Sequence, residues 1–277
     1  MRMGRAGGAV AALGMVAVLA WIGTAALHEL EMRRPPLTLT VLSEAADVET
    51  VAQQQAEQPR VLIYHTHTWE AYEMTDTDVY TPTETWRTKD EAHNMVRVGE
   101  ALAGALTELG FYVVHDTTAF EPPNLSDAYT RSLEMLEERL DAGEQYDYLF
   151  DVHRDAYSGL YNGSNTAQLD GESLAYVMLL VGKGTGATGS GFDERPDWPQ
   201  NLELAQAITD ELNELVPGLS RDVKVKTGRF NQHVSTGALL IEVGNNKNTL
   251  DEALAACPVI ARAIANVHAQ RMDALEP

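Results

Sequence analysis

Three short runs in this 277-residue chain carry side chains able to do hydrolytic chemistry. They are His65-Thr66-His67-Thr68-Trp69-Glu70, Asp151-Val152-His153-Arg154-Asp155 and Glu242-Val243-Gly244-Asn245-Asn246, and each sits at the end of an apolar stretch. Together they offer imidazoles and carboxylates, the inventory of a hydrolytic zinc site in which about three protein ligands leave one position for water. Zinc brings the pKa of water to about 7, and a nearby carboxylate is still needed to carry the proton to the leaving group. Taken singly, a histidine at a strand end is ordinarily structural and an acidic residue there is often a helix cap. Three such runs in one chain are what point to a site. Glu242 is the sharpest case, because Leu239-Leu240-Ile241-Glu242-Val243 sets a carboxylate inside an apolar strand, where an unpaired charge is costly. Cys257 is the only cysteine, so neither an intramolecular disulfide nor a Cys-x-x-Cys metal site is available. Any metal must rest on His, Asp or Glu.

The elements that must position these residues follow from hydrophobic periodicity. Val61–Tyr64 reads as a buried strand, and Met95, Val98, Leu102, Leu106 and Leu109 recur at helical spacing until Gly110 stops them. Phe111–Val114 is the next strand, residues 126–141 a second helix, and Tyr148-Leu149-Phe150 leads into a third strand. Ala175–Val181 reads as a strand, 199–215 as a helix, Ala238–Val243 as a strand and 249–268 as a closing helix. Alternating strands and helices predict an α/β fold, a single three-layer domain over residues 60–270 with a mostly parallel central sheet. Ligands of such sheets bind beyond the carboxyl ends of the strands, which is where the three runs fall. His65 and His67 share one face if the first strand continues that far. Gly184-Thr185-Gly186-Ala187-Thr188-Gly189 fits a dinucleotide-binding spacing, but a polar loop with Pro196 follows it where a helix is required, so we read residues 182–191 as a loop excursion. His28, His115 and His268 receive no role, and His233 is read as a surface residue near the cleft.

The N-terminus stands apart. Ala6–Leu27 holds no charge and follows Arg2 and Arg5; as a helix it would rise about 33 Å, enough to cross a bilayer core of about 30 Å. We expect a cytoplasmic tip and transmembrane anchor over 1–27 in preference to a cleaved signal peptide, since the run exceeds a usual signal core of about 7–15 residues. Residues 28–59 read as a polar tether, and the rest of the chain is expected outside the cytoplasm at the cell membrane. A formal charge of −21 argues against nucleic acid as a partner and against adhesion to anionic lipid other than through the helix.

Four blocks carry a resemblance. Ile63–Glu70, Phe150–Asp155, Pro217-Gly218-Leu219-Ser220-Arg221, and Phe230-Asn231-Gln232 followed by Gly237–Gly244 resemble the stage II sporulation protein P family over about residues 60–268. The resemblance implies an exported, membrane-anchored peptidoglycan hydrolase with a zinc amidase-like fold. Its activity would be zinc-dependent N-acetylmuramoyl-L-alanine amidase, cutting the amide between N-acetylmuramic acid and L-alanine, with an associated cross-link endopeptidase activity, in septal wall degradation and engulfment during sporulation. It implies His67 and His153 as metal ligands, Glu242 as the catalytic carboxylate, and Glu70 as third ligand, with His93 or Glu91 as the alternative and His65 as a neighbour that orients a ligand. Arg154, Arg229, Asn231 and Gln232 are then candidates for holding the glycan or the stem-peptide carboxylates; Arg154 serves equally well in a salt bridge to Asp151 or Asp155. Implied partners are the lytic transglycosylase of the same complex, stage II sporulation protein D, and a multi-pass membrane protein. The competing readings are a catalytically silent wall-binding module and another peptidoglycan metallo-hydrolase such as a carboxypeptidase.

Overall fold

The structure is a computed structural model that describes residues 58–156, 165–184 and 197–275. The expected membrane segment, nearly all of the tether and most of the 182–191 run lie outside the described residues. Among those described, no helix is long and apolar enough to cross a membrane.

The strands are β1 (Arg60–Tyr64), β2 (Tyr112–His115), β3 (Tyr148–Asp155), β4 (Thr166–Leu169), β5 (Glu172–Ala175), β6 (Val177–Gly182), β7 (Lys224–Lys226) and β8 (Ala238–Asn245); the α-helices are α1 (Met95–Glu108), α2 (Ala128–Asp141), α3 (Trp198–Leu215) and α4 (Leu250–Asp273). Six strands form one sheet in the order β2-β1-β3-β8-β6-β7, and β4 pairs with β5 in a separate hairpin. β2, β1, β3 and β8 run parallel. β6 runs antiparallel to β8, and β7 pairs parallel to β6, so the sheet is mixed beyond β8. The expected single strand over 175–181 is two strands. Tyr176 interrupts it: its N–H donates to the Asn165 carbonyl and its carbonyl accepts from Gly244, and residues before it turn away into the hairpin.

Local chemistry explains where the helices begin and end. The Asn94 side chain caps α1 by accepting from the Val96 N–H, and Gly110 (φ +91°) ends that helix in a conformation other residues rarely adopt. Thr249 and Glu252 form a reciprocal capping box on α4. Along β3 and β8 every second side chain enters one core. Phe150, Val152, Ile241 and Val243 pack with Leu102 of α1, Ile208 of α3 and Ile260 of α4. On the opposite face Leu62, Tyr64, Leu149 and Ala238 meet only α2, through Ala128 and Leu136, with Phe120. Three helices cover one face of the sheet and one covers part of the other. The reversal of strand order between β1 and β3, with β1 leading outward to β2, leaves a crevice at their carboxyl ends on that thinly covered face.

Candidate active site

β1 stops at Tyr64, which lies opposite Asp151 in register. The chain then turns, tied down by Asp151: its carboxylate accepts from the Thr66 N–H at 2.8 Å and from the Thr66 hydroxyl at 2.7 Å. Extended geometry ends before the motif, so the condition for a shared face is not met and His65 and His67 go to different sides. His65 goes to the dry side, where its Nδ1 donates to the Val152 carbonyl at 2.8 Å and its Nε2 lies 2.9 Å from His115 Nε2. A carbonyl only accepts, so His65 carries its proton on Nδ1 and takes the His115 N–H on Nε2. Burial, then the neighbouring His115, pushes the His65 pKa down to about 3, so it is neutral.

His67 goes to the crevice. Its ring meets Tyr129 of α2 edge-on at 5.5 Å between centroids and His153 at 5.2 Å, and its side chain keeps 23% exposure where that of His153 keeps 4%. Burial, then His153, holds its pKa down at about 4. His153 comes from the end of β3 on the same face as Asp151, and Glu242 of β8 is its partner across the ladder. Alternation thus aims Asp151, His153 and Glu242 into the crevice while Val152 and Ile241 face the apolar core. Burial disfavours charge on His153, but Asp151, Glu70 and Glu242 outweigh it and raise its pKa to about 9. Burial pushes the Glu242 carboxyl up to about 8, with His153 opposing and Glu70 and Asp155 adding to the shift. Glu70 follows the turn, 3.7 Å from His153 Nδ1, and accepts from the Arg154 N–H at 3.3 Å.

Not every expected residue joins the cluster. His93 pairs with Asp78 at 3.2 Å and Asp90 at 3.0 Å, and Glu91 is exposed, whereas Glu70 lies beside the histidine pair together with Asp151 and Glu121. Arg154 spends its guanidinium on the carbonyls of Ala71 and Trp86 and lies 3.7 Å from Glu70. Its partners are neither Asp151 nor Asp155, and it pins the Glu70 loop to β3. Asn231 donates to the Tyr129 carbonyl and the Ser132 hydroxyl, while Gln232 accepts from the Gly182 N–H and donates to the Leu180 carbonyl. These three side chains tie neighbouring segments together, each through at least two hydrogen bonds to protein groups. Arg229 is partly exposed on the loop between β7 and β8, and His233 lies in the short turn after it.

Two site residues had no individual signal in the sequence. Asp151 stood in a quoted run without a role, and here it contacts His153 Nε2 at 2.7 Å and holds the turn of His67. Glu121 comes from a loop between β2 and α2. It is 3% exposed, pairs with Arg87, accepts weakly from the Trp69 N–H at 3.4 Å and lies 3.8 Å from His67 Nδ1. Only folding brings it there.

Whether these residues suit a metal is testable on the donor atoms. His67 Nδ1, His153 Nε2 and Glu242 Oε2 are all buried without a hydrogen-bond partner; the close Asp151 contact of His153 is too poorly aligned to count as one. Imidazole nitrogens and carboxylate oxygens are the donor set zinc takes, and stranded donors in one crevice are what a cation site leaves behind. Among the described residues no three such side chains yet stand at metal-binding spacing. The donor chemistry fits zinc, while the side chains are turned onto each other.

The sequence matches the family of stage II sporulation protein P over residues 29–265. The chain belongs to the stage II sporulation protein P family. Among curated proteins it is similar to stage II sporulation protein P of Bacillus subtilis (strain 168), 26% identical over 226 residues, which covers 76% of this chain and 51% of that one. The chain therefore spans about half the length of this relative. Among solved structures it is similar to an N-acetylmuramoyl-L-alanine amidase from Clostridium difficile 630 (17% identity, TM-score 0.45, 79% and 98% of the two chains) and to the CwlD amidase from Clostridioides difficile in complex with the GerS lipoprotein (13% identity, TM-score 0.48, 78% and 100%). Membership of the stage II sporulation protein P family rests on the family match alone.

Proposed function

We propose that this member of the stage II sporulation protein P family is a zinc-dependent peptidoglycan hydrolase of sporulation that cuts the amide between N-acetylmuramic acid and L-alanine. One observation supports it above the rest: Glu242, buried in β8 with an unpaired oxygen, faces His153 across the ladder at the mouth of the crevice that also holds His67. His67, His153 and Glu70 would hold the zinc. The chemistry zinc supplies when bound is Lewis acidity, which polarises an amide carbonyl and makes water a nucleophile at neutral pH. Glu242 takes the proton from that water on Oε2 and returns it to the departing alanine nitrogen, which leaves only once protonated. In the metal-free site burial raises the Glu242 carboxyl to about 8, well above the usual carboxylate range. Asp151 fixes the His67 turn, and Tyr129 stands edge-on against the His67 ring.

Anchoring at the outer face of the cell membrane by Ala6–Leu27, and work beside a lytic transglycosylase and a membrane protein, belong to the same proposal. The support is the apolar length of that run and the family. Cross-link endopeptidase activity fits the same carboxylate chemistry.

The test is digestion of purified peptidoglycan by the full chain, with and without a chelator, and product analysis by mass spectrometry. Free stem peptides and stripped glycan, lost on chelation and restored by zinc, are the expected result. Trimming of terminal residues alone would make the protein a carboxypeptidase. Intact muropeptides under every condition, with the transglycosylase added, would make it a binding module.

A further inference from the structure

Beside the crevice lies a groove of about 340 Å³, within the span of small-ligand pockets of about 300–1,000 Å³. Its lining includes Glu121, which also stands 3.8 Å from His67 Nδ1, so groove and crevice share that side chain. Trp69, two residues from His67, forms one side with Lys89, and Pro122, Pro123 and the exposed Leu125 form the other.

The charges in this groove are not equivalent. Arg87 is committed to Glu121 and reaches Glu84 on the rim at 3.9 Å. Lys89 has no carboxylate within ion-pair distance among the described residues; its ammonium stands over the Trp69 ring at 4.7 Å. The indole fixes that cation in place and leaves its three N–H donors free to point into the groove. In a chain of net charge −21, an uncommitted lysine next to the reacting edge marks a place where an anion is accepted. The groove also shows what the ligand is not. With Lys89 over it, that face of the indole is closed to stacking on a sugar ring, and the opposite wall is aliphatic. An acidic peptide, with a carboxylate for Lys89 and small apolar side chains for Pro122, Pro123 and Leu125, matches both walls.

We propose that this groove is the stem-peptide subsite and that Lys89, seated on Trp69, binds a free carboxylate of the peptide. The inference rests on the hydrolase reading and adds which half of the substrate lies on the Trp69 side and what selects it. A substrate whose carboxylates are amidated loses the partner of Lys89, so the groove distinguishes amidated from free stem peptides.

The experiment is calorimetric titration of the full chain carrying Glu242→Gln, which prevents turnover, with an N-acetylmuramoyl tripeptide bearing free carboxylates and with its amidated counterpart. Lys89→Met should weaken binding of the free-carboxylate probe about tenfold and leave binding of the amidated one unchanged, and Lys89→Arg should restore most of the loss. Lys89 is exposed, so the variant should fold, and circular dichroism verifies that it has. Equal affinities of the Lys89→Met protein and its parent for the free-carboxylate probe, a loss that ignores amidation, or no binding at all would overturn the subsite. Hydrolysis of the same probe by the unsubstituted chain is scored separately. Binding governed by Lys89 without any cleavage would sink the hydrolase reading and leave the subsite standing, whereas cleavage indifferent to Lys89 would do the reverse.

Discussion

β3 and β8 show two different chemistries on their two sides. On the side of α1, α3 and α4, Phe150, Val152, Ile241 and Val243 are sealed in apolar contact; on the side of α2, one residue away each time, Asp151, His153 and Glu242 face the crevice, the last two with an atom unpaired. The same contrast separates two histidines of one motif. His65 is locked between a carbonyl and His115, and His67 stands at the open edge. The dry side supplies the rigidity that lets the wet side hold two carboxyl groups close together: Glu70 and Glu242 both act on His153, an arrangement that a loosely packed scaffold would relax by moving apart.

The strongest way to break that division of labour is to change one atom on the wet side. Glu242→Gln preserves shape and removes the proton carrier. Turnover on peptidoglycan should fall roughly 10²–10⁴-fold, about 3–5 kcal/mol in barrier, while the melting temperature holds or rises because a poorly solvated carboxyl is gone. Near-normal rates in this variant would remove Glu242 from the mechanism. The mirror experiment is Phe150→Ala on the dry side, which should cost about 3–5 kcal/mol of stability in denaturant titration and leave kcat per folded molecule close to the parent value. A loss of kcat without a loss of stability at Phe150 would mean that the two faces are not separate in function.

How much of this was legible in the sequence follows from the same two faces. Strands β1, β3 and β8 and helices α1 and α4 announce themselves because burial leaves an apolar pattern, and Glu242 stands out because it violates one. Direction leaves no such mark. An apolar run reads alike in both senses, so nothing in Val177–Val181 reveals that β6 runs against β8. The β4–β5 hairpin does have a local signature, Asp170-Gly171 with positive φ at both residues, but its short flanks lack the alternation that would have drawn attention to it. Within the site, the runs that hold His67, Glu70 and His153 stand out by type and position, as Glu242 does alone, and the individual ligand roles come from the family resemblance. Glu121 does not stand out, because a carboxylate in the loop Phe120-Glu121-Pro122-Pro123 has no period to break, and its neighbour His67 is far away along the chain. For Arg154, Asn231 and Gln232 residue type shows that a side chain can bind a substrate, and only the fold shows that protein carbonyls already take part of its hydrogen bonding.

A smaller effect sharpens the contrast at the histidines. A Cβ placed on Gly99 of α1 would fall 2.4 Å from both His65 Nε2 and His115 Nε2, so the helix can approach the pair only without a side chain there. Gly99→Ala should therefore destabilise the domain by about 1–3 kcal/mol in spite of alanine's better helix propensity, read by thermal or denaturant unfolding. A stabilised Gly99→Ala protein would show that the histidine pair is loosely held and that the dry side is less constrained than its packing implies.

The smallest effect is a pH dependence, and its sign follows from which state binds the proton. His65 titrates near the ordinary value of about 6.5 in the unfolded chain and at about 3 when folded, because burial and His115 oppose its charge. Between those values the unfolded chain takes up a proton that the folded chain refuses. The stability His65 supports is thus complete above about pH 6.5 and declines as the solution is acidified, by at most about 1.4 kcal/mol per pH unit. Asp116, held below its usual range because the Arg139 guanidinium and Thr118 outweigh its burial, loses its contribution only further down, as pH falls through the acidic range. In metal-free protein at pH 7, 6 and 5, Glu242 and His153, both raised by the fold, gain stability on acidification and oppose His65, so the check is the difference between the parent and His65→Gln in unfolding curves: the variant should be the less stable at pH 7, and the gap should narrow as pH falls. His67 is also depressed, so the comparison between the two proteins isolates the His65 share. An unchanged slope in His65→Gln would mean that His65 is not held neutral by the fold, and the distinction between the locked histidine and the exposed one would collapse.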